Sequence, residues 1–436
     1  MTSRREFLAG VAATGLAAAC VRYPFPGGPR ALPEPKSSGL DHIVVMCMEN
    51  RSFDHYLGWV RGATGRQTGL SYLDEQGVAH PTHRLTSFTG CGFRDPSHSY
   101  NGGRIQLNGG ACDGFRRGSN DDLALGYYTR DDLPLTSQLV DHFTICDHWF
   151  AGILAPTYPN RFYIHSAATD RITNTLVAST MPSIWDRLAD AGIPARYYYT
   201  DLPFLALYGT KHLGSATLID QFFVDAEAGA LPPYSYVEPG FFGVNQNDDH
   251  PHADIRRGQN LMARVVKAIV ESPQWERTLL IITYDEWGGF FDTVAPPRFP
   301  DLVDNPGGDS SNPDHAQAGF RVPTVLVSPF SHGGRVAPTV FEHSAIPKLV
   351  EWRFGLPPLT PRDAASNNLA TALDFRPIPG RPRPEIVVPP DPGHQPCAPE
   401  ALTTARVESG VVVDDDGATW ADLAASDLVR GWDLGV

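Results

Sequence analysis

The chain has 436 residues, 42% hydrophobic and 10% aromatic, which is enough apolar side chain for a large core and excludes a disordered or fibrous protein. Lys and Arg number 35 against 49 Asp and Glu, a formal charge of −14 that repels phosphate backbones and argues against a nucleic-acid partner. At about 150 residues per domain, the length accommodates one large α/β domain with extensions, or up to about three smaller ones.

The N-terminus reads Ser3-Arg4-Arg5-Glu6-Phe7-Leu8, followed by Ala, Gly, Val and Leu up to Cys20. An arginine pair, a short apolar stretch and small residues match a twin-arginine export signal. Residues 1–20 are therefore expected to be a leader and the protein to be exported, to the periplasm, the cell envelope or the medium. The stretch is shorter than the ~20 apolar residues a bilayer requires. Ala18-Ala19-Cys20 makes Cys20 a candidate lipid anchor, and residues 21–38, rich in proline, read as a linker. No later run is long and apolar enough to span, so contact with a membrane surface is expected to be transient.

Beyond Cys20 there are five cysteines, Cys47, Cys91, Cys112, Cys146 and Cys397, an odd number that leaves at least one unpaired within the chain. Cys91 and Cys112 flank a polar loop and are the expected disulfide in an oxidising compartment. Cys47 lies in an apolar run and is expected to be buried. There is neither a CxxC pair nor an HExxH helix, so a structural zinc or zincin site is not supported.

His42–Met48, Thr278–Thr283 and Val322–Val327 are apolar runs that predict buried strands. Leu261, Val265, Val266 and Ile269 give residues 260–270 a helical spacing just before the second of them. A helix feeding an almost unbroken apolar strand predicts a mostly parallel sheet covered on both faces, in a body spanning residues 39–375. Residues 376–399 contain nine prolines in 24 positions and predict an extended strap. Trp420, Leu423, Ala424 and Leu428 predict a short helix that docks back, completing a C-terminal region of 376–436.

Two of the strands end in oxygen donors: one in Glu49-Asn50, the other through Tyr284 in Asp285-Glu286. Ligands of open α/β sheets bind beyond the carboxyl ends of the strands, so the two pairs can converge on one divalent cation. Taken alone, each is equally a cap or a solvated loop carboxylate. In Ala155-Pro156-Thr157-Tyr158-Pro159-Asn160-Arg161, prolines bracket Thr157, and Asn160 and Arg161 are candidate anion ligands; an ordinary rigid turn reads the same way. A threonine hydroxyl needs a metal or a base to act as nucleophile. His98 follows Asp95-Pro96-Ser97, and His250 follows Asp248-Asp249, so each imidazole has a nearby carboxylate to orient it.

Glu49-Asn50-Arg51-Ser52-Phe53-Asp54-His55-Tyr56-Leu57-Gly58 resembles the signature of the bacterial phospholipase C/acid phosphatase phosphoesterase family. Pro156–Arg161, Tyr284–Asp292, Gly319-Phe320-Arg321-Val322-Pro323 with Ser328-Pro329, and Glu342-His343-Ser344 with Glu351 resemble four further blocks, collinear over roughly residues 40–365. The resemblance implies an alkaline-phosphatase-like three-layer α/β/α sandwich and metal-dependent attack on phosphorus. It implies that Glu49, Asn50, Asp285 and Glu286 bind one divalent metal ion and that Thr157 is the nucleophile. His98 and His250 would contact the phosphoryl group or the leaving oxygen. Two positions depart from the family pattern, with Trp287 and Thr293 where histidines are usual.

The expected activity is a phosphoric ester hydrolase of phospholipase C type, releasing diacylglycerol and a phosphorylated head group from glycerophospholipids. The alternative is an acid phosphatase acting on monoesters. A metal-free serine hydrolase is disfavoured because no Gly-x-Ser-x-Gly elbow is present. A non-catalytic lipid-binding protein would lack chelator-sensitive turnover.

Overall fold

The main sheet has eight strands: His42–Met48 (β1), Thr144–Cys146 (β2), Ala195–Tyr199 (β3), Ala216–Leu218 (β4), Tyr234–Glu238 (β5), Thr278–Tyr284 (β6), Val325–Val327 (β7) and Val336–Ala337 (β8). A computed structural model describes residues 31–376, 382–397 and 416–435. The arginine pair, Cys20 and most of the linker lie outside the described residues. The strand order is β8-β2-β7-β6-β1-β5-β3-β4. Every residue of β1 and β6 is buried, which is why both read as continuous apolar runs. They are parallel neighbours, with His42 opposite Thr278 and Met48 opposite Tyr284.

The sheet is parallel except at β7, which runs antiparallel to both β6 and β2. Here the expected strand at Val322–Val327 shortens to Val325–Val327; Pro323, lacking an N–H, cannot donate to a ladder. The helices that matter for the site are Phe53–Leu57 (α1), Tyr100–Leu107 (α2), Pro134–His142 (α3), Thr157–Ser166 (α4), Ile184–Asp190 (α5), Asp220–Ala228 (α6), Ile255–Glu271 (α7) and Ala345–Phe354 (α8). Helices α3, α6 and α7 pack together as one layer and α4, α5 and α8 as the other, giving a three-layer α/β/α sandwich. α7 buries Leu261, Met262, Val265, Val266 and Ile269. No helix among the described residues is long and apolar enough to cross a membrane.

The described residues from Leu32 onward form one compact unit. Its proline-rich segment lies extended along the helical layer. Val387 exchanges hydrogen bonds with Gln138 of α3, and Asn260 of α7 donates to Pro389 O at 2.7 Å. The segment's Cys397 is bonded to Cys91. This corrects the expected Cys91–Cys112 pair. Cys112 is instead buried beside Phe115 and Tyr72, whereas Cys91 and Cys397 come within 5.3 Å Cα to Cα. Cys47, Cys112 and Cys146 are buried free thiols.

Because the bond closes a 306-residue separation, Cys397→Ser is expected to cost about 2–4 kcal/mol in denaturant unfolding under oxidising conditions. Reductant should then have no further effect on the variant. Equal midpoints for parent and variant without reductant would contradict this.

Candidate active site

Because Met48 faces Tyr284, Glu49-Asn50 and Asp285-Glu286 leave adjacent strands at the same level. Asn50 turns with φ 62°, a left-handed conformation that asparagine tolerates, and its N–H donates to Asp285 Oδ1 at 3.1 Å. Gly288 and Gly289 also have positive φ. A Cβ on Gly288 would lie 2.1 Å from Asn50 O, and one on Gly289 would lie 2.5 Å from Ser97 O. The paired glycines thus let the loops carrying Asn50, His98 and Glu286 close on one another.

Arg161 rises from α4 into this cluster. Its Nε donates to Asp285 Oδ2 at 3.0 Å, Nη2 lies 3.5 Å from Glu49 Oε1, and Nη1 donates to Glu238 at the end of β5. Burial pushes the carboxyls of Glu49, Asp285 and Glu286 up, Glu49 and Glu286 well above the usual range. The charge of Asp285 adds to the rise at Glu49 and at Glu286, while Arg161 opposes it at Glu49 and Asp285 and His98 at Glu286. Glu286 Oε1 is buried and without a hydrogen bond; its nearest cationic neighbour is His98 Nε2 at 3.9 Å.

Thr157 is the first residue of α4, not part of a rigid turn. Pro156 caps the helix and Pro159 lies in its first turn, where an N–H has no intrahelical partner anyway. The Thr157 hydroxyl sits at the positive end of the helix and donates to Asn50 Oδ1 at 3.5 Å. The amide nitrogen of the same Asn50 lies 3.4 Å from His98 Nε2. His98 Nδ1 lies 2.9 Å from Pro96 O, an arrangement in which Nδ1 is the donor and Nε2 faces the cluster. Burial lowers the imidazole pKa, but the carboxylates of Asp416, Glu286 and Asp95 outweigh it and raise it well above the ordinary value.

Six of the expected site residues therefore meet: Glu49, Asn50, Thr157, His98, Asp285 and Glu286. His250 stands one step away, its ring edge-on to His98 with centroids 6.3 Å apart and its Nε2 3.3 Å from Asp95 Oδ2. Arg51 holds its loop in place, donating to Asp249 O at 2.7 Å and His250 O at 3.3 Å. Asp95, His250 and His252 have potential ligand atoms that all lie within 4.8 Å of one another, so this group too can hold a metal ion. The carboxylates of Glu49, Asp285 and Glu286 do not cluster that tightly; the Arg161 guanidinium bridges two of them.

Asn160 and Arg161 face the protein rather than a substrate. Asn160 is fully buried, accepts from Ile153 N and donates to Ala155 O and Pro156 O, pinning the turn before α4. Arg161 is also fully buried and committed to carboxylates, because acids gathered at three strand ends need a shared counter-charge. Both departures from the family pattern have structural uses. Trp287 is fully buried against Phe320 and donates to Gln106 Oε1 at 2.6 Å. Thr293 donates through N and Oγ1 to Asp54, which also pairs with Arg321 at 3.2 Å.

Several residues near the site were not expected there. His343 accepts from Trp149 Nε1 at 3.2 Å, so its Nε2 is the donor to Asp285 O at 2.5 Å and steadies that strand end. Its signal was the Glu342-His343-Ser344 block. Trp420 donates to Glu49 Oε1 at 2.7 Å, and Asp416 Oδ2 lies 3.5 Å from His98 Nε2. No local pattern marks contacts so distant in sequence, 371 residues for Trp420 and Glu49.

A model of the Phosphoesterase family matches residues 40–357. The chain belongs to this family. Non-specific phospholipase C1 of Arabidopsis thaliana is 33% identical over 389 residues, 79% of this chain and 72% of that one. Phospholipase C A of Mycobacterium tuberculosis is 30% identical over 465 residues, 88% of this chain and 87% of that one. Among solved structures, the phosphonate monoester hydrolase of Agrobacterium radiobacter covers 78% of each chain at 12% identity with a TM-score of 0.39. This phosphoesterase is accordingly a phosphoric ester hydrolase with a phospholipase C-like function.

Proposed function

We propose that the protein is an exported, metal-dependent phospholipase C that cleaves glycerophospholipids into diacylglycerol and a phosphorylated head group through Thr157. The observation that carries this reading is the line Thr157–Asn50–His98. It sets a hydroxyl on the oxygen and an imidazole Nε2 on the nitrogen of one amide, beside buried carboxyls. The names of the relatives support the substrate class.

Glu49, Asn50, Asp285 and Glu286 suit one hard divalent cation. Glu49 and Asp285 share one guanidinium with Glu238, and the buried Glu286 Oε1 lacks a hydrogen bond. A cation bound there supplies positive charge to phosphate oxygens and favours ionisation of a nearby hydroxyl. The remaining steps belong to the protein. Thr157 Oγ1, at the N-terminus of α4, gives up its proton to solvent and attacks phosphorus; the bond from phosphorus to the diacylglycerol oxygen breaks, and that oxygen takes a proton from His98 Nε2. Water then attacks phosphorus and gives a proton back to His98, the bond to Thr157 Oγ1 breaks, and the threonine regains its proton from solvent. His250, oriented by Asp95, stands edge-on to His98.

Incubation with phosphatidylcholine, sphingomyelin and p-nitrophenyl phosphate tests the assignment. Diacylglycerol and phosphocholine from phosphatidylcholine are the expected products, identified by mass. Release of phosphate from p-nitrophenyl phosphate with intact lipid would make the enzyme a monoesterase instead. Export is supported by the arginine pair and by the Cys91–Cys397 bond, which suits an oxidising compartment. Replacing Arg4 and Arg5 by Lys should retain the precursor in the cytoplasm; unchanged appearance of the mature form outside would refute the signal.

A further inference from the structure

The far end of the chain reaches the site. Thr419 caps a short helix, Trp420–Ala425, through a reciprocal pair of hydrogen bonds with Asp422, and this places the Trp420 ring at the helix start. The indole stacks on Phe241 at 3.8 Å with the planes 13° apart, and Tyr158 of α4 meets it edge-on at 5.1 Å. The Tyr158 hydroxyl donates to Thr419 O at 3.3 Å. These contacts hold the ring with its N–H aimed at Glu49 Oε1, 2.7 Å away.

Packing alone does not require that bond, since a phenyl ring would stack on Phe241 equally well. The bond is short and buried, the setting in which a hydrogen bond fixes its acceptor most firmly. Glu49 Oε1 also has Arg161 Nη2 at 3.5 Å, so two donors converge on this one oxygen.

We infer that Trp420 is a positioning residue for the metal ligand Glu49, its indole N–H fixing one carboxylate oxygen so that the C-terminal segment forms part of the metal site. The inference rests on the proposal that Glu49 binds metal. Partners of this kind around a metal ligand typically govern affinity by about 10–100-fold.

The test uses the full chain, stripped with chelator and titrated with Mn²⁺ by calorimetry. Trp420→Phe keeps the stacked ring and removes the N–H. It should weaken Mn²⁺ binding by about 10–100-fold while the metal-free protein melts close to the parent. Glu49→Gln should also weaken binding, and the double variant should bind no more weakly than Glu49→Gln, because the indole then has no ligand to position. Parent-like Mn²⁺ affinity in Trp420→Phe, with Glu49→Gln impaired, would overturn the role of Trp420 and leave the ligand assignment standing. Losses that add in the double variant would also overturn it, since they would show an effect independent of Glu49. Parent-like affinity in Glu49→Gln would overturn the ligand assignment and the inference with it.

Discussion

Thr157→Ala is expected to lower kcat by about 10²–10⁴-fold, equal to ~3–5 kcal/mol of barrier, while the fold survives. The substitution removes the group proposed to accept the phosphoryl centre. The stability cost should be small. The hydroxyl's bond to Asn50 Oδ1 is long at 3.5 Å, and the start of α4 is independently held by Tyr158 N donating to Asn174 Oδ1 at 2.8 Å. Thr157→Ser keeps the nucleophile and loses one methyl, so it should retain measurable turnover. A purely structural Thr157 predicts the reverse, a lower melting temperature in Thr157→Ala with activity intact. Kinetics and melting on the two variants separate the cases, and parent-like hydrolysis by Thr157→Ala would rule out its role as nucleophile.

Asp285→Asn and Glu49→Gln are each expected to lose bound metal and more than about 10²-fold of activity together. Asp285 Oδ1 accepts from Asn50 N at 3.1 Å and Glu286 N at 2.7 Å, and an amide oxygen preserves both bonds. The Asp285 charge does not survive, although Arg161 keeps its carboxylate partners Glu238 and Glu49. In Glu49→Gln, removing one acid from a buried, mutually repelling group should leave the metal-free melting temperature near that of the parent, whereas Asp285→Asn also loses the bond from Arg161 Nε to Oδ2 and should melt lower. Elemental analysis and kinetics on the same preparations check the pairing of effects. Stoichiometric metal retained in both variants would place the cation elsewhere, and the Asp95–His250–His252 group is then the alternative holder.

What could be read from the sequence follows the range over which each physical cause acts. β1 and β6 were legible because burial on both faces writes itself into seven consecutive residues. Their endings in Glu49-Asn50 and Asp285-Glu286 were visible as well. What makes the two pairs neighbours is the register of Met48 with Tyr284, a pairing across 236 positions that the sequence alone does not display. Thr157 was recognised within its segment, but brackets of proline suggested a turn where the chain starts a helix, since proline suits both. Asn160 and Arg161 looked like anion ligands because amide and guanidinium chemistry is the same whether it meets a substrate or a buried carboxylate. Cys91 was paired with Cys112 because proximity in sequence was the available guide, whereas the strap carries Cys397 back across the fold. Trp420 was readable only as part of a docking helix and His343 only as part of a family block, and nothing in the sequence singles out Asp416.

The most direct test of the account is rapid acid quenching during turnover of phosphatidylcholine, followed by digestion and mass mapping of the peptide that contains Thr157. The account predicts a covalently held phosphocholine on Thr157 that forms on substrate addition, decays as phosphocholine is released, and is missing in Thr157→Ala. Full turnover with Thr157 unmodified, or with the adduct on another residue such as His98, would contradict it.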